Sequence, residues 1–317
     1  MGRKPRVQFP GAFYHVLARG NRREAIFLDD KDRKEHLRRL REAQRRFEFT
    51  LYAYVLMPNH VHLLLETGLV TLSRIMQWLG TTYTQYFNRR HSKIGHLFQG
   101  RYKAILCDRE GYLLSLVRYL HVNPVRAGLV KDPAEYAWSS HRTYLGLDHD
   151  PMIARSLVLE RFGREVTKAV GAYQEYVTQG MSQGHEPRYY QVVDQLFLGD
   201  EPFVSRMKKQ VAQPSTVQGG RIMRSLDEIV QHVAQGLNAD VKALGKSSKV
   251  RQLVEARDIL SYIVREYTDH KGASLAGILH IDPSIVTRGA ERIAKRVQKK
   301  RALGQLIERL VVPLTSK

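Results

Sequence analysis

The stretch that decides the fold is MPNHVHLLLE, residues 57–66, and its centre is His60-Val61-His62. In an extended strand successive side chains alternate faces, so residues two apart point the same way. Two imidazoles therefore stand side by side on one face, at a spacing that suits chelation of a single metal ion. The surrounding run LYAYVLMPNHVHLLL is rich in aliphatic and aromatic residues, as a strand should be. It divides into strand-like runs over 49–56 and 60–66, separated only by Met57-Pro58-Asn59. An isolated His-x-His is short enough to be two ordinary strand histidines. A second segment, RYLHVNPVRAGLV at 118–130, changes the weighing. Tyr119 and Asn123 are four apart, which places them on one face of a helix. A phenol can serve as a covalent nucleophile, and an amide oxygen can complete a metal site begun by two histidines. A strand bearing His-x-His opposite a helix bearing Tyr-x-x-x-Asn is a constellation for metal-assisted phosphodiester chemistry.

Working outward, AFYHVLARG alternates like a strand, and DDKDRKEHLRRLREAQRRF is helical by the spacing of Leu37, Leu40, Ala43 and Phe47. After the two central strands, VTLSRIMQWLGTTYTQYFNRR reads as an amphipathic helix and RYKAILCD as a strand. A helix capped by Asp108 then carries Tyr119. Pro124 predicts that this helix ends at about Asn123, because the residue before proline avoids the helical region. The order β-α-β-β-α-β-α predicts an α+β, ferredoxin-like domain, an antiparallel sheet covered on one face by helices.

These residues resemble a known family, the single-tyrosine HUH transposases, and within it the REP-associated tyrosine transposases. The resemblance is carried by PGAFYHVLARGNRR (10–23), MPNHVHLLLE (57–66), LFQGRYKAILCD (97–108) and RYLHVNPVRAGLV (118–130), with WSSHRTYLG (138–146) similar to the closing segment of the domain. It spans about the first 150 residues in order. It implies the same HUH fold, Tyr119 as catalytic nucleophile, and His60, His62 and Asn123 as ligands of Mg²⁺ or Mn²⁺. It also implies single-stranded DNA with a hairpin beside the cleavage site as substrate, cut through a 5′-phosphotyrosine intermediate. Insertion-sequence relatives commonly carry Gln where this chain has Asn123. The shorter side chain requires the helix to sit closer to the metal, or a water to bridge. Relatives include dimers and monomers, so both monomer and homodimer stay open.

Competing residues have plainer roles. Tyr112, seven residues before Tyr119 on the same helical face, reads as packing, as do Tyr83 and Tyr86 beside Trp78 and Phe87. Tyr14 lines the sheet. His121 falls on a different helix face from Tyr119, and Glu66 lies too far along its strand from His62. The lone Cys107 forbids an intramolecular disulfide, suits a reducing cytoplasm and reads as a small packed residue.

The 317 residues carry a net charge of +20. Residues 1–150 hold 25 Lys and Arg against 14 Asp and Glu, residues 151–220 hold 8 against 7, and residues 221–317 hold 18 against 10. The excess sits at the two ends, where such a field concentrates polyanions. MGRKPRVQFPG lacks the apolar stretch of a signal peptide, Arg6 stands where myristoylation wants Ser or Thr, and no apolar run approaches a membrane span. The expectation is a cytoplasmic, nucleoid-associated protein with a DNA partner and no membrane partner. Arg19, Asn21, Arg22 and Arg23 at the end of the first strand, where Gly20 lets the backbone turn, and Arg101 and Lys103 on one face of their strand, are candidate phosphate contacts. The run RRLREAQRR at 38–46 reads as a solvated helix face.

The domain expectation is 1–150 for the catalytic domain, 151–220 for a helical connector and linker, and 221–317 for a helical DNA-binding domain. QPSTVQGG at 213–220 is the linker candidate. Ser225 with Glu228 forms a capping box signal, and KVRQLVEARDILSYIVREYT a long amphipathic helix. Asp282 as N-cap with Pro283 at the first helical position starts the last helix of the segment. Residues 250–300 resemble the helix-turn-helix domain of the bacterial replication initiator through SLAGIL and through Asp282, Ser284 and Val286. Pro283, Ile285 and Ile281 stand where the initiator uses polar residues, so its DNA target does not carry over. Ser284, Thr287, Arg288, Glu291, Arg292 and Lys295 form the polar side of that helix, the expected duplex-facing set. Lys295, Arg296, Lys299, Lys300 and Arg301 extend it as a phosphate-contacting tail. LGKSSK at 244–249 lacks the first glycine of a phosphate loop, with Asp240 in its place, which excludes ATP use. A second class remains beside the strand transferase, a domesticated DNA-binding regulator that retains the fold. The four intact residues His60, His62, Tyr119 and Asn123 favour the enzyme.

Overall fold

The computed structural model describes residues 8–182, 193, 196–212, 217–218, 221–222, 224–245, 250–297 and 301–315. The chain forms two compact units, the first built from residues 11–68 and 72–212, the second from residues 213–317 with 8–10 and 69–71.

The first unit follows the order β1 (Phe13–Arg19), α1 (Asp30–Phe47), β2 (Thr50–Met57), β3 (His60–Glu66), α2 (Leu72–Arg90), β4 (Lys103–Cys107) and α3 (Arg109–Arg126). The sheet order β2-β3-β1-β4 is antiparallel throughout, the ferredoxin-like arrangement expected from the sequence. A two-residue strand, β5 (Phe197–Leu198), adds in parallel beyond β4, which makes the five-stranded sheet mixed.

Local chemistry explains the elements. Asp29 caps α1 by accepting from the Asp32 N–H, and Glu48 closes it in the left-handed conformation. The β2–β3 turn needs only Pro58 and Asn59. Gly20 has an ordinary extended backbone, so its role is space: a Cβ there would collide with the Glu24 carbonyl and Ile26. The bend comes two residues later, with Arg22 and Arg23 at φ of 51° and 62°.

Two expectations are corrected. Helices cover both faces of the sheet rather than one. Val16, Ala18, Val61 and Leu63 face α1 and α2, whereas His15 and His62 face α3. β2 is buried along nearly its whole length, a pattern that requires cover on both sides. The Tyr119 helix also does not stop at Asn123. It continues through Pro124 to Arg126, and the Ala127 N–H closes the last turn on the Asn123 carbonyl at 2.9 Å. Pro124 has no N–H to give the ladder, so the helix continues past it with one hydrogen bond fewer. Asp108 occupies the N-cap position of α3, with no hydrogen bond from its side chain to the helix.

Residues 138–140 cover the open edge of β2. Leu56 N–H donates to the Trp138 carbonyl at 2.9 Å, Ser140 N–H to Tyr54 O at 3.0 Å, and Tyr54 N–H to Ser140 Oγ at 3.0 Å. Three further helices follow, α4 (His141–Leu145), α5 (Arg155–Leu159) and α6 (Val166–Ser182), and α7 (Glu201–Ala212) comes after β5. α6 packs on α3 through a buried network. The Tyr173 hydroxyl lies 2.7 Å from His121 Nδ1 and 2.6 Å from His141 Nδ1, and His121 Nε2 lies 2.8 Å from Ser140 Oγ. Residues 155–182, read from the sequence as part of a connector, therefore help to hold the helix that carries Tyr119.

The second unit contains a short hairpin, β6 (Val217–Gln218) with β7 (Arg221–Ile222), and helices α8 (Leu226–Gly236), α9 (Val241–Leu244), α10 (Arg251–Tyr267), α11 (Gly272–Leu279), α12 (Pro283–Val297) and α13 (Arg301–Thr315). Ser225 and Glu228 form the capping box, and Asp282 Oδ1 accepts from the Ser284 N–H at 2.7 Å. Most of the linker candidate 213–220, most of LGKSSK, Lys299 and Lys300, and the side chain of Arg301 lie outside the described residues.

Candidate active site and nucleic-acid interface

β1 and β3 pair with Arg19 opposite His60, Leu17 opposite His62 and His15 opposite Leu64. Directly opposed residues share a face, so His15, Arg19, His60 and His62 all stand on the side covered by α3. His60 and His62 have ring centroids 4.9 Å apart. Each has its Nδ1 engaged. His60 Nδ1 lies 2.6 Å from Asn59 Oδ1, and Asn59 is itself held by an Nδ2–H donated to the Arg23 carbonyl at 2.9 Å. His62 Nδ1 lies 2.8 Å from His15 Nε2. In the tautomer with a proton on Nδ1, each imidazole presents an Nε2 lone pair, the state a metal ligand needs.

Burial keeps these rings neutral. It lowers His60 to about 4, with a smaller push from Arg19, and lowers His15 to about 4, with a smaller push from Lys103. His62 is pushed well below the usual histidine range, first by burial and then by His15, His60 and Arg19.

Tyr119 reaches this cluster from α3. Its ring centroid is 5.8 Å from that of His15 and 6.2 Å from that of His62, edge-on to both. Asn123 follows one turn later, and its buried Nδ2 has no hydrogen-bond partner within the protein. That N–H is a donor and suits an acceptor such as a phosphate oxygen, while the amide oxygen is the atom a cation would meet. Two neutral imidazoles and a neutral amide on facing elements fit a hard divalent cation such as Mg²⁺ or Mn²⁺. Among the described residues no cluster of three His, Cys, Asp or Glu has metal-binding geometry, so a site here depends on the amide.

Three residues were missed in the sequence. His15 and Asn59 engage the two histidines, and Arg126 places its guanidinium carbon 5.6 Å from the Tyr119 ring centroid. His15 was legible once β1 was paired beside β3, because it alternates with Leu17 and Arg19. Arg126 is seven residues from Tyr119, two turns along the same face, but a helix ended at Asn123 hides that.

The plainer readings fit. Glu66 is taken up by Tyr52 and Arg109, at 2.9 and 3.0 Å. Cys107 is buried, its thiol pushed up to about 12 by burial.

The candidate DNA contacts divide by position. Arg19 stands beside His60, and its buried Nε has no hydrogen-bond partner. Asn21, Arg22 and Arg23 form an exposed turn. Lys103 is exposed on β4 and shares the His62 face, while Arg101 lies in a bend before the strand rather than on it. On α12, Ser284, Thr287, Arg288, Glu291 and Lys295 are exposed. Arg288 folds back on Ser284, its guanidinium 3.0 Å from Ser284 Oγ. Arg292 is committed elsewhere. It makes a two-pronged bond to the buried Asp258 of α10, at 2.8 and 2.7 Å, and Gly289 supplies the close approach that brings the helices together. Arg296 is likewise paired with Glu255.

Fold and site together define the class, an α+β domain consistent with the HUH fold, with a histidine pair on a central strand and a tyrosine on a facing helix. Residues 9–123 match the family model described as "Transposase IS200 like", a match that ends on Asn123. A solved structure of a REP-associated tyrosine transposase bound to a REP hairpin is similar at 17% identity and a TM-score of 0.40, over 48% of this chain and 90% of that one. No curated protein matches the chain. Among the described residues no helix is long and apolar enough to cross a membrane.

Proposed function

We propose that this chain is a single-strand DNA endonuclease and strand transferase that cuts beside hairpins with Tyr119 as nucleophile. The observation that carries the reading is the approach of Tyr119 to His62 and His15 across the sheet–helix interface. A phenol in this position has no need of a histidine pair for packing alone, and the family match over the same residues supports the assignment.

The Tyr119 oxygen attacks phosphorus, the bond to the 3′ oxygen breaks, and the 5′ phosphate stays on the tyrosine. The phenol gives its proton to solvent and the departing 3′ oxygen takes one up. The phosphotyrosyl bond conserves the energy of the broken linkage, so a second 3′-hydroxyl can reverse the step without a nucleotide cofactor. His60, His62 and Asn123 would hold Mg²⁺ or Mn²⁺, which, when bound, offsets negative charge on the phosphate oxygens. Asn59 and His15 orient the two imidazoles, and Arg126 and Arg19 supply fixed positive charge beside Tyr119 and His60. The second unit binds the duplex stem through α12.

The test is a covalent protein–DNA adduct formed on hairpin oligonucleotides carrying single-stranded flanks. Tyr119→Phe abolishes the adduct and leaves DNA binding almost unchanged. Adduct formation by the Phe variant, with loss in Tyr112→Phe, overturns the assignment.

A further inference from the structure

The face of the sheet opposite the histidine pair is not fully covered. A cavity of about 660 Å³, open to solvent, lies between β1, β3, α2 and the segment 95–102. Its floor is the reverse side of the strands that carry the histidines, with Val16 and Ala18 from β1 and Val61 and Leu63 from β3. α2 explains why the space exists. Its Leu72, Ile75, Tyr83 and Phe87 are buried in the core, whereas Met76 and Leu79 give the cavity apolar surface and Gln77, Gly80, Thr81 and Thr84 line it with small or polar groups. A Cβ on Gly80 would meet no atom within 4 Å.

The lining has three parts with different chemistry. Phe98 and Tyr102 supply aromatic surface, and Arg101, exposed, stands on the segment that forms one wall. On the inner side sits His36 of α1, 3% exposed, with a buried Nδ1 that has no hydrogen-bond partner. That nitrogen is sealed inside the protein, where the ring packs edge-on to Phe27 and Tyr83, so a molecule in the cavity can meet His36 only at the opposite edge of its ring. Burial holds His36 at about 3, so its ring is neutral near neutral pH and offers hydrogen bonds without charge.

We infer that this cavity receives one unstacked nucleobase of the single-stranded DNA flank, between the β1/β3 floor and Phe98, with His36 at its edge and Arg101 toward the backbone phosphate. An apolar slot with aromatic surface, a few polar groups and an adjacent cation is the chemistry that holds a base out of its stack. A bare apolar ligand gives His36 no hydrogen bond, and an acidic peptide finds too little charge within the slot. The inference rests on the proposed action on single-stranded DNA, and it places a second contact behind the cleavage site, on the other side of one sheet.

The experiment uses full-length Tyr119→Phe protein without added metal, so that binding is read without cleavage. Hairpin oligonucleotides carry 2-aminopurine at successive positions of the single-stranded flank. One position changes its fluorescence on binding far more than its neighbours. Gly80→Phe, which fills the cavity from a helical position with open space, removes that change and weakens binding of the flanked hairpin about tenfold. Thr84→Met fills the same space from the next turn and gives the same result, so a folding defect at one position does not decide the outcome. His36→Leu keeps most of the binding and loses preference among the four bases at that position. A uniform response along the flank, or a signal unchanged in both filling variants, overturns the site. An absent Tyr119 adduct with the base signal intact overturns the cleavage reading and leaves the site standing.

Discussion

His15 Nε2 lies 2.8 Å from His62 Nδ1, with the two rings stacked 18° from parallel at 5.1 Å between centroids. A residue from β1 therefore sets the orientation of a residue on β3. Groups that orient a metal-binding histidine are usually worth one to two orders of magnitude in affinity. His15→Ala is expected to weaken Mn²⁺ binding by about 10- to 100-fold, read by calorimetric titration, while the melting temperature falls little. Higher Mn²⁺ restores adduct formation. Unchanged Mn²⁺ affinity in this variant would return His15 to a packing role.

Arg126 gives a second expectation. Its guanidinium stands against the Tyr119 ring at the end of α3, where under the proposed mechanism it would meet a phosphate approaching the phenol. Arg126→Gln is expected to slow adduct formation by about 100-fold, the scale of one lost electrostatic donor. Affinity for the hairpin changes far less, because the distributed phosphate contacts remain. Arg126→Lys recovers part of the rate. Equal losses in rate and in affinity would mean that Arg126 only binds DNA.

What was legible in the sequence divides by range. The β-α-β-β-α-β-α order and the shared face of His60 and His62 follow from local periodicity, because strand and helix spacing fix which residues share a face, whereas the choice of Tyr119 over Tyr112 on the same helical face came from the family resemblance. Cover on the second face of the sheet was not legible. It depends on α3 and α6 meeting through Tyr173 and His121, a contact between residues 52 apart in sequence. The continuation of α3 past Pro124 was hidden for a different reason. The rule for residues before proline is a tendency, and here tertiary packing of a buried helix outweighs it. On α12 the polar face read as duplex-facing is exposed, but one of its members, Arg292, reaches back to a carboxylate 34 residues away that no helical pattern reveals.

The buried histidines outside the candidate site predict acid sensitivity. His141 is lowered to about 4 and His36 to about 3, both chiefly by burial. Folded values below the unfolded value near 6.5 mean that the unfolded chain takes up protons first as the pH falls. Stability is therefore full above pH 6.5 and declines through the window down to about pH 4. For His141 the shift corresponds to roughly 3 kcal/mol at most. Melting temperature measured against pH checks it. His141→Gln is expected to be less stable at pH 8 but to lose less on acidification. A parallel decline in the variant would assign the acid sensitivity to other groups.

The last prediction separates two arginines four residues apart on α12. Asp258 is buried in α10, and Arg292 holds both of its oxygens. Arg292→Ala strands a buried carboxylate, and the expected cost is about 1–3 kcal/mol, reduced from a fully buried pair because half of the arginine side chain is exposed. DNA affinity then falls as a consequence of lost folding. Arg288 instead bonds within its own helix, to Ser284, and is exposed. Arg288→Ala should leave the melting curve in place and lower discrimination between matched and scrambled duplex by about 1–3 kcal/mol if it meets a base edge. Lys295→Ala, if Lys295 contacts a phosphate, should weaken both duplexes equally and flatten the dependence of log affinity on log salt by about one unit. Denaturation curves and salt titrations on the three variants decide the matter. A salt slope that stays unchanged in both Arg288→Ala and Lys295→Ala would mean that α12 docks on protein rather than on DNA.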